Sequence, residues 1–259
     1  MLSPKELLSF FSTAYTAKVK TPLARLFLLA VCAGAFVALA GIGATTAMST
    51  IENPAVAKLI SAVVFPAGLT MILLAGGELF TGDCLLIIGC LSRTIRWGEM
   101  LRVLLVVYLG NLFGSLLAAW LVVFSHTPSL FDGMLAVSIV NAAQAKVSLS
   151  FGDGFLRGIL CNYLVCMSVW IAAGSKNAAA KIISLFYPIL LFVLCGFEHC
   201  VANMYYIPAG IWTASEYGIA AEGLNWGSMF LKNLLPVTLG NIAGGSALFG
   251  AVCWVCYRN

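Results

Sequence analysis

The chain has 259 residues, 61% of them apolar and 9% charged, where an ordinary soluble domain carries about 25% charged residues. That composition excludes a water-solvated globule. The formal net charge of +4 reads as membrane topology rather than as a nucleic-acid surface.

In chain order, Ser3-Pro4-Lys5-Glu6 has the cap, first-turn proline and returning glutamate of a capping box, with Leu7, Leu8 and Phe11 on one face behind it. This predicts a short amphipathic helix over residues 3–16, lying at the membrane surface. The first long apolar run starts only at Leu26 and is longer than a signal h-region, so no cleaved leader is expected. Uncharged apolar runs cover Leu26–Ser49, Leu59–Gly77, Val103–Ser125, Gly158–Ser175 and Asn233–Tyr257, each near the roughly 20 residues that a helix needs to cross hydrocarbon. A sixth run, Ile182–Phe197, is slightly short and ends at Glu198. Lipid leaves backbone polar groups to satisfy one another, and these runs lack the alternation of barrel strands. The predicted fold is an all-α integral membrane protein of six transmembrane helices, one transmembrane domain over 1–259.

Basic residues set the orientation. Lys5, Lys18, Lys20, Arg25, Arg93, Arg96, Arg102, Lys176, Lys181 and Arg258 fall on one side, against Lys58, Lys146, Arg157 and Lys232 on the other. Both termini are therefore expected in the cytoplasm, with the protein in the inner (cytoplasmic) membrane. The nine cysteines lie within or beside apolar runs and read as small buried hydrophobes rather than as a disulfide framework.

Sliding the chain against itself by roughly 120 to 130 residues aligns four matches in the same order in both halves. Ala14–Val19 pairs with Ala142–Val147 as A-x-x-A-K-V, and Arg25 with Arg157. Gly76-Gly77-Glu78 with Asp83 pairs with Gly196-Phe197-Glu198 with Asn203. Leu109-Gly110-Asn111 with Gly114 pairs with Leu239-Gly240-Asn241 with Gly244. The expected division is 1–24 as amphipathic helix and basic segment, 25–125 as repeat 1, and 126–259 as repeat 2 with its leading segment. Three spans per half is an odd number, so the second half is expected inverted, with the substrate path near the midplane.

Spans 2 and 5 are interrupted at equivalent places, Gly76–Asp83 and Gly196–Asn203. Non-helical backbone at that depth survives only where it is shielded by protein or lines a wet cavity, and half-helix ends there suit anions. An ionisable residue at mid-membrane costs at least ~2.5 kcal/mol and usually marks a substrate or proton route. His199 is the histidine inside a span; its bland alternative is a core histidine bonded to backbone. Glu78 and Glu198 are read first as supports for the broken backbone. Asn162, Asn203, Asn111 and Asn241 serve equally well as cross-links between helices or as pore groups. Lys18 and Lys146 should flank the path from opposite faces and concentrate anions; for Lys18, snorkelling to headgroups is the even alternative. Gly110, Gly114, Gly240 and Gly244 are explained by close helix packing.

At these residues the chain resembles the formate/nitrite transporter family, through Glu78-Leu79-Phe80-Thr81, Gly196–Met204, the L-G-N-x-x-G of span 6, and Asn162–Cys166. The resemblance covers nearly the whole chain. It implies an aquaporin-like fold and a homopentamer in which each protomer holds its own pore. By the same resemblance Leu79, Phe65 and Phe192 form the slits, Thr81 and His199 sit in the chamber, Lys146 stands at its outer mouth, and Asn162 and Asn241 match polar positions around it. The stretch Met204–Ile211 is closer to the formate branch than to the nitrite branch, and the cysteine content also fits the hydrosulfide branch.

The expected function is passage of a small monovalent anion of a weak acid, formate first, with nitrite or hydrosulfide as alternatives. Apolar slits repel a bare charge, since desolvating a carboxylate costs several kcal/mol. Lys146 would attract the anion, Thr81 and His199 would hydrogen-bond it, and His199 or its water would supply a proton. A channel for a neutral solute is the nearest rival, separated by proton co-movement. An enzyme is not expected: Cys195-x-x-x-His199-Cys200 lacks both metal-ligand spacing and a second ligand cluster, and no cofactor, metal or nucleic-acid partner is implied.

Overall fold

The computed structural model describes residues 1–258; Asn259, the last residue of the expected second repeat, lies outside the described residues. Among these the chain is helical, with no strand. Helix α1 (Pro4–Lys18) starts on the expected capping box: the Ser3 hydroxyl accepts from the Glu6 N–H, and the Glu6 carboxylate accepts from the Ser3 N–H. Its apolar face is not spread on lipid as the sequence suggests. Leu7, Leu8, Phe11 and Tyr15 are buried against the bundle, with Phe11 stacked on Trp170 at a centroid distance of 5.2 Å. The apolar stripe of α1 therefore packs on protein side chains.

The remaining helices are α2 (Leu23–Met48), α3 (Pro54–Gly76), α4 (Phe80–Leu91), α5 (Trp97–Phe124), α6 (Met134–Val147), α7 (Phe151–Ala173), α8 (Ala178–Leu194), α9 (Cys200–Glu216) and α10 (Trp226–Tyr257). By length and composition α2, α3, α5, α7 and α10 can cross a bilayer, while α4, α6 and α8 are shorter apolar helices. Asparagine caps open α3 and α8 alike: Asn53 accepts from the Ala55 and Val56 N–H groups, and Asn177 from that of Ala180.

Helix α3 ends at Gly76, whose φ of +90° suits glycine, and the chain runs extended to Leu79 before α4 begins. The segment from α8 to α9 turns in the same way at Gly196, φ +69°. An L side chain at either turn would be strained by about 1 kcal/mol or more.

Packing recurs between the halves. Helix α2 runs along α5 as α7 runs along α10, and α2 lies on α3 as α7 lies on α8. The halves interlock where α4 meets α10 and α9 meets α5. A Cβ on Gly114 would strike the Val31 carbonyl, and one on Gly244 the Ile159 carbonyl, which explains the shared L-G-N-x-x-G by backbone approach.

One end of the bundle gathers α1, the α4–α5 and α7–α8 turns, and the end of α10. There the Leu2 N–H donates to the Gly174 carbonyl, and Ser12 and Trp254 both donate to the Ser92 hydroxyl. This is the end that holds the larger set of basic residues. All nine cysteines are free thiols.

Candidate functional site

Each break leaves backbone groups without helical partners, and one buried asparagine serves each. Asn111 accepts from the Phe80 N–H at 2.9 Å and donates to the Glu78 and Ala30 carbonyls at 2.8 Å. Asn241 accepts from the Cys200 N–H at 2.9 Å and donates to the Glu198 and Gly158 carbonyls at 2.9 and 2.8 Å. The Glu78 and Glu198 N–H groups complete the set on the Leu29 and Arg157 carbonyls. Buried backbone polar groups left open would each cost about 1–3 kcal/mol, so these bonds hold the non-helical segments in place.

The two glutamate side chains are therefore released from the backbone-holding task the sequence reading gave them, and they bind lysines. Lys18 Nζ lies 2.5 Å from Glu78 and 2.5 Å from Asp83. Burial opposes the Lys18 charge, but Asp83 and Glu78 outweigh it and raise its pKa above the ordinary lysine value. Lys146 Nζ lies 3.0 Å from Glu198 and 5.3 Å from the centre of the Tyr206 ring. Asn203 donates to Glu198 at 2.6 Å and to Asn233 at 2.7 Å, and Asn233 donates to the Lys146 carbonyl at 2.9 Å.

His199 is the N-cap of α9. Its Nδ1 accepts the Ala202 N–H at 3.0 Å, and its Nε2 lies 2.9 Å from the Thr81 hydroxyl. An acceptor at Nδ1 assigns the neutral ring's proton to Nε2, which donates to Thr81. A second ring proton would displace the cap bond. Phe192 stacks on the imidazole at 5.9 Å and meets Phe65 edge-on at 5.7 Å.

Three cavities in series surround this centre. The first, about 300 Å³, is lined by Lys58, Lys146, Arg157 and Glu198 and closed by Phe65, Phe192 and His199. Those last three also wall a second of about 20 Å³, whose far side is Leu69, Ile72 and Leu79. The same three side chains bound a third of about 180 Å³, which opens onto Lys18, Glu78 and Asp83. The middle space has room for about one water and is walled almost wholly by apolar groups.

Of the residues expected at the site, His199, Leu79, Phe65, Phe192, Lys146 and Lys18 stand on these walls. Thr81 is fully buried behind His199 and reaches none of the three cavities. Asn162 and Asn241 are likewise enclosed; Asn162 donates to the Asn241 carbonyl at 2.7 Å, so both brace helices. Sequence reasoning missed Lys58, Arg157 and Asn233 as wall or network members. Lys58 and Arg157 were legible only as topology charges, and Asn233 as a polar residue at the start of an apolar run. Among the described residues no three His, Cys, Asp or Glu side chains are grouped to hold a metal.

A multi-pass helical membrane protein with charged mouths on either side of a narrow apolar waist has the architecture of the transport class. The family model described as formate/nitrite transporter matches residues 5–255. The formate channel FocA of Haemophilus influenzae is 36% identical over 96% of this chain and 92% of its own, and the uncharacterized transporter YrhG of Bacillus subtilis is 35% identical over 99% and 94%. A solved structure, a pentameric formate channel with formate bound, superposes with a TM-score of 0.84 at 32% identity, over 92% of this chain and 98% of that one. The chain belongs to the formate/nitrite transporter family, whose members are channels and transporters rather than enzymes.

Proposed function

We propose that the chain is a channel for small monovalent anions of weak acids, with formate as its principal substrate. The observation that carries this reading is the run of three cavities sharing walls between the Lys146–Glu198 and Lys18–Glu78–Asp83 clusters. Lys146, with Lys58 and Arg157 on the same cavity, raises the local anion concentration. The anion then meets Phe65, Phe192 and Leu79, where a bare charge is costly. Protonation to the neutral acid lowers that barrier.

His199 is the group that couples the anion to a proton. Its Nε2–H turns from Thr81 toward the anion, and a proton at Nδ1 is gained only by releasing the Ala202 cap. The charged ring is thus a transient state, formed when an anion is present to offset it. Nitrite and hydrosulfide are conjugate bases of weak acids as well and follow the same route.

The broken helices fit two inverted three-span repeats of aquaporin-like design, with the α3–α4 and α8–α9 segments as spans 2 and 5. Five protomers, each with its own pore, form the assembly in the cytoplasmic membrane, and the α1 end with both termini faces the cytoplasm. The deciding experiment is liposome flux of formate, nitrite and hydrosulfide side by side across pH. Formate flux that rises as pH falls is expected; no flux of any of the three defeats the reading.

A further inference from the structure

The two ion clusters differ in charge at position 83. Beside α1, Lys18 meets two carboxylates, whereas at the other mouth Lys146 meets Glu198 alone, and Asn203, the residue aligned with Asp83, is an amide. With every group ionised the first cluster carries one net negative charge. The second carries none, and its cavity adds the cations Lys58 and Arg157.

Asp83 is 4% exposed and stands on the wall of the 180 Å³ cavity. Its Oδ1 is held by Lys18, while Oδ2 is buried with no hydrogen-bond partner among the described residues. The charges that face it are Lys18 from α1 and Glu78 from the break; the other titratable neighbours are Tyr15 on α1, Cys84 on α4 itself, Cys166 on α7, and His199 behind Thr81. None of these brings a second cation. A buried carboxylate oxygen without a donor is costly as an anion, and a proton on the carboxyl removes that charge.

We propose that Asp83 is a proton-binding group that makes the α1-side mouth, and not the other, admit anions according to the pH of the solution it faces. With the proton on Asp83 the cluster is neutral and a monovalent anion can approach Leu79. With it off, the mouth repels the anion. The proton is exchanged with water on that side, and only the Asp83 O–H bond forms or breaks. The proposal rests on the reading of the cavities as an anion path.

The test is initial uptake of labelled formate into right-side-out and inside-out membrane vesicles holding the full chain, with interior pH fixed and bath pH varied from acid to slightly alkaline. Uptake through the α1-side mouth is expected to fall about tenfold further than uptake through the opposite mouth. Asp83→Asn removes the extra fall, and Asn203→Asp installs one on the other side. Equal pH responses in the two orientations, or an extra fall that persists in Asp83→Asn, overturn the proposal while leaving the anion path standing. No formate uptake in either orientation overturns the anion path and this proposal with it.

Discussion

Asn111 and Asn241 make the same three hydrogen bonds in the two halves of the chain. Each accepts from the first N–H after a helix break and donates to the carbonyl of the glutamate in that break and to a carbonyl of a neighbouring helix. The correspondence turns a weak motif, L-G-N-x-x-G, into a mechanical part, since a single side chain substitutes for the missing helical turn.

Removing that part should loosen the break before it alters chemistry. Asn241→Ala leaves the Cys200 N–H and the Glu198 and Gly158 carbonyls without this partner, a loss of about 3 kcal/mol or more. Lower thermal stability of the detergent-purified protein is expected for Asn241→Ala and Asn111→Ala alike. Wild-type melting in either variant would show that the break is held by other means.

Reversing charge at Lys146 should slow anion flux more than neutralising it. Lys146→Glu sets a carboxylate against Glu198, now 3.0 Å from the lysine, and replaces an attracting field with a repelling one. A drop of about tenfold relative to Lys146→Ser is expected at low salt. The difference should shrink as salt rises, because exposed charges are screened over about 10 Å at 0.1 M. Equal flux in the two variants would remove Lys146 from the path.

The waist should set size selectivity. Leu79 walls both the 20 Å³ space and the 180 Å³ cavity, so Leu79→Ala joins them and should admit acetate or lactate. Truncating a buried leucine also costs about 2–5 kcal/mol of stability, so assembly is checked by gel filtration first. Unchanged selectivity in assembled protein would place the filter elsewhere.

His199→Asn keeps a good helix cap for α9 while removing a group that titrates. Folding and oligomeric state should survive, and the pH dependence of formate flux should change. The sign follows from the role: a group that passes protons to the anion contributes most on the acid side, so the variant should lose acid-side stimulation. Wild-type flux with wild-type pH response for every anion tested would make this histidine structural.

The helical class, the capping box and the glycine turns at Gly76 and Gly196 were legible because each rests on local physics: long apolar runs, a four-residue cap, and glycine beside charge in a hydrophobic stretch. The pairing partners were not. Glu78 and Glu198 read as backbone supports because a buried carboxyl needs donors, and only the fold shows that asparagines 33 and 43 residues away do that work while lysines claim the carboxylates. Helix α1 shows the same limit. Its apolar stripe is visible in sequence, but whether lipid or Trp170 covers it depends on a helix far along the chain. Thr81, expected in the chamber, and Asn162, open between cross-link and pore group, both stand behind the cavity walls; a polar residue near a break can face inward or brace it from behind, and chain position does not separate the two.

The middle cavity, with about 20 Å³ between His199 and Leu79, has a kinetic consequence. Two solutes cannot pass one another at a waist with room for about one water, so traffic is single-file and a molecule lodged there bars movement in both directions. Flux should then saturate with concentration, and solute on the far side should retard arrival from the near side, giving a narrow pore the kinetic habits usually associated with a carrier.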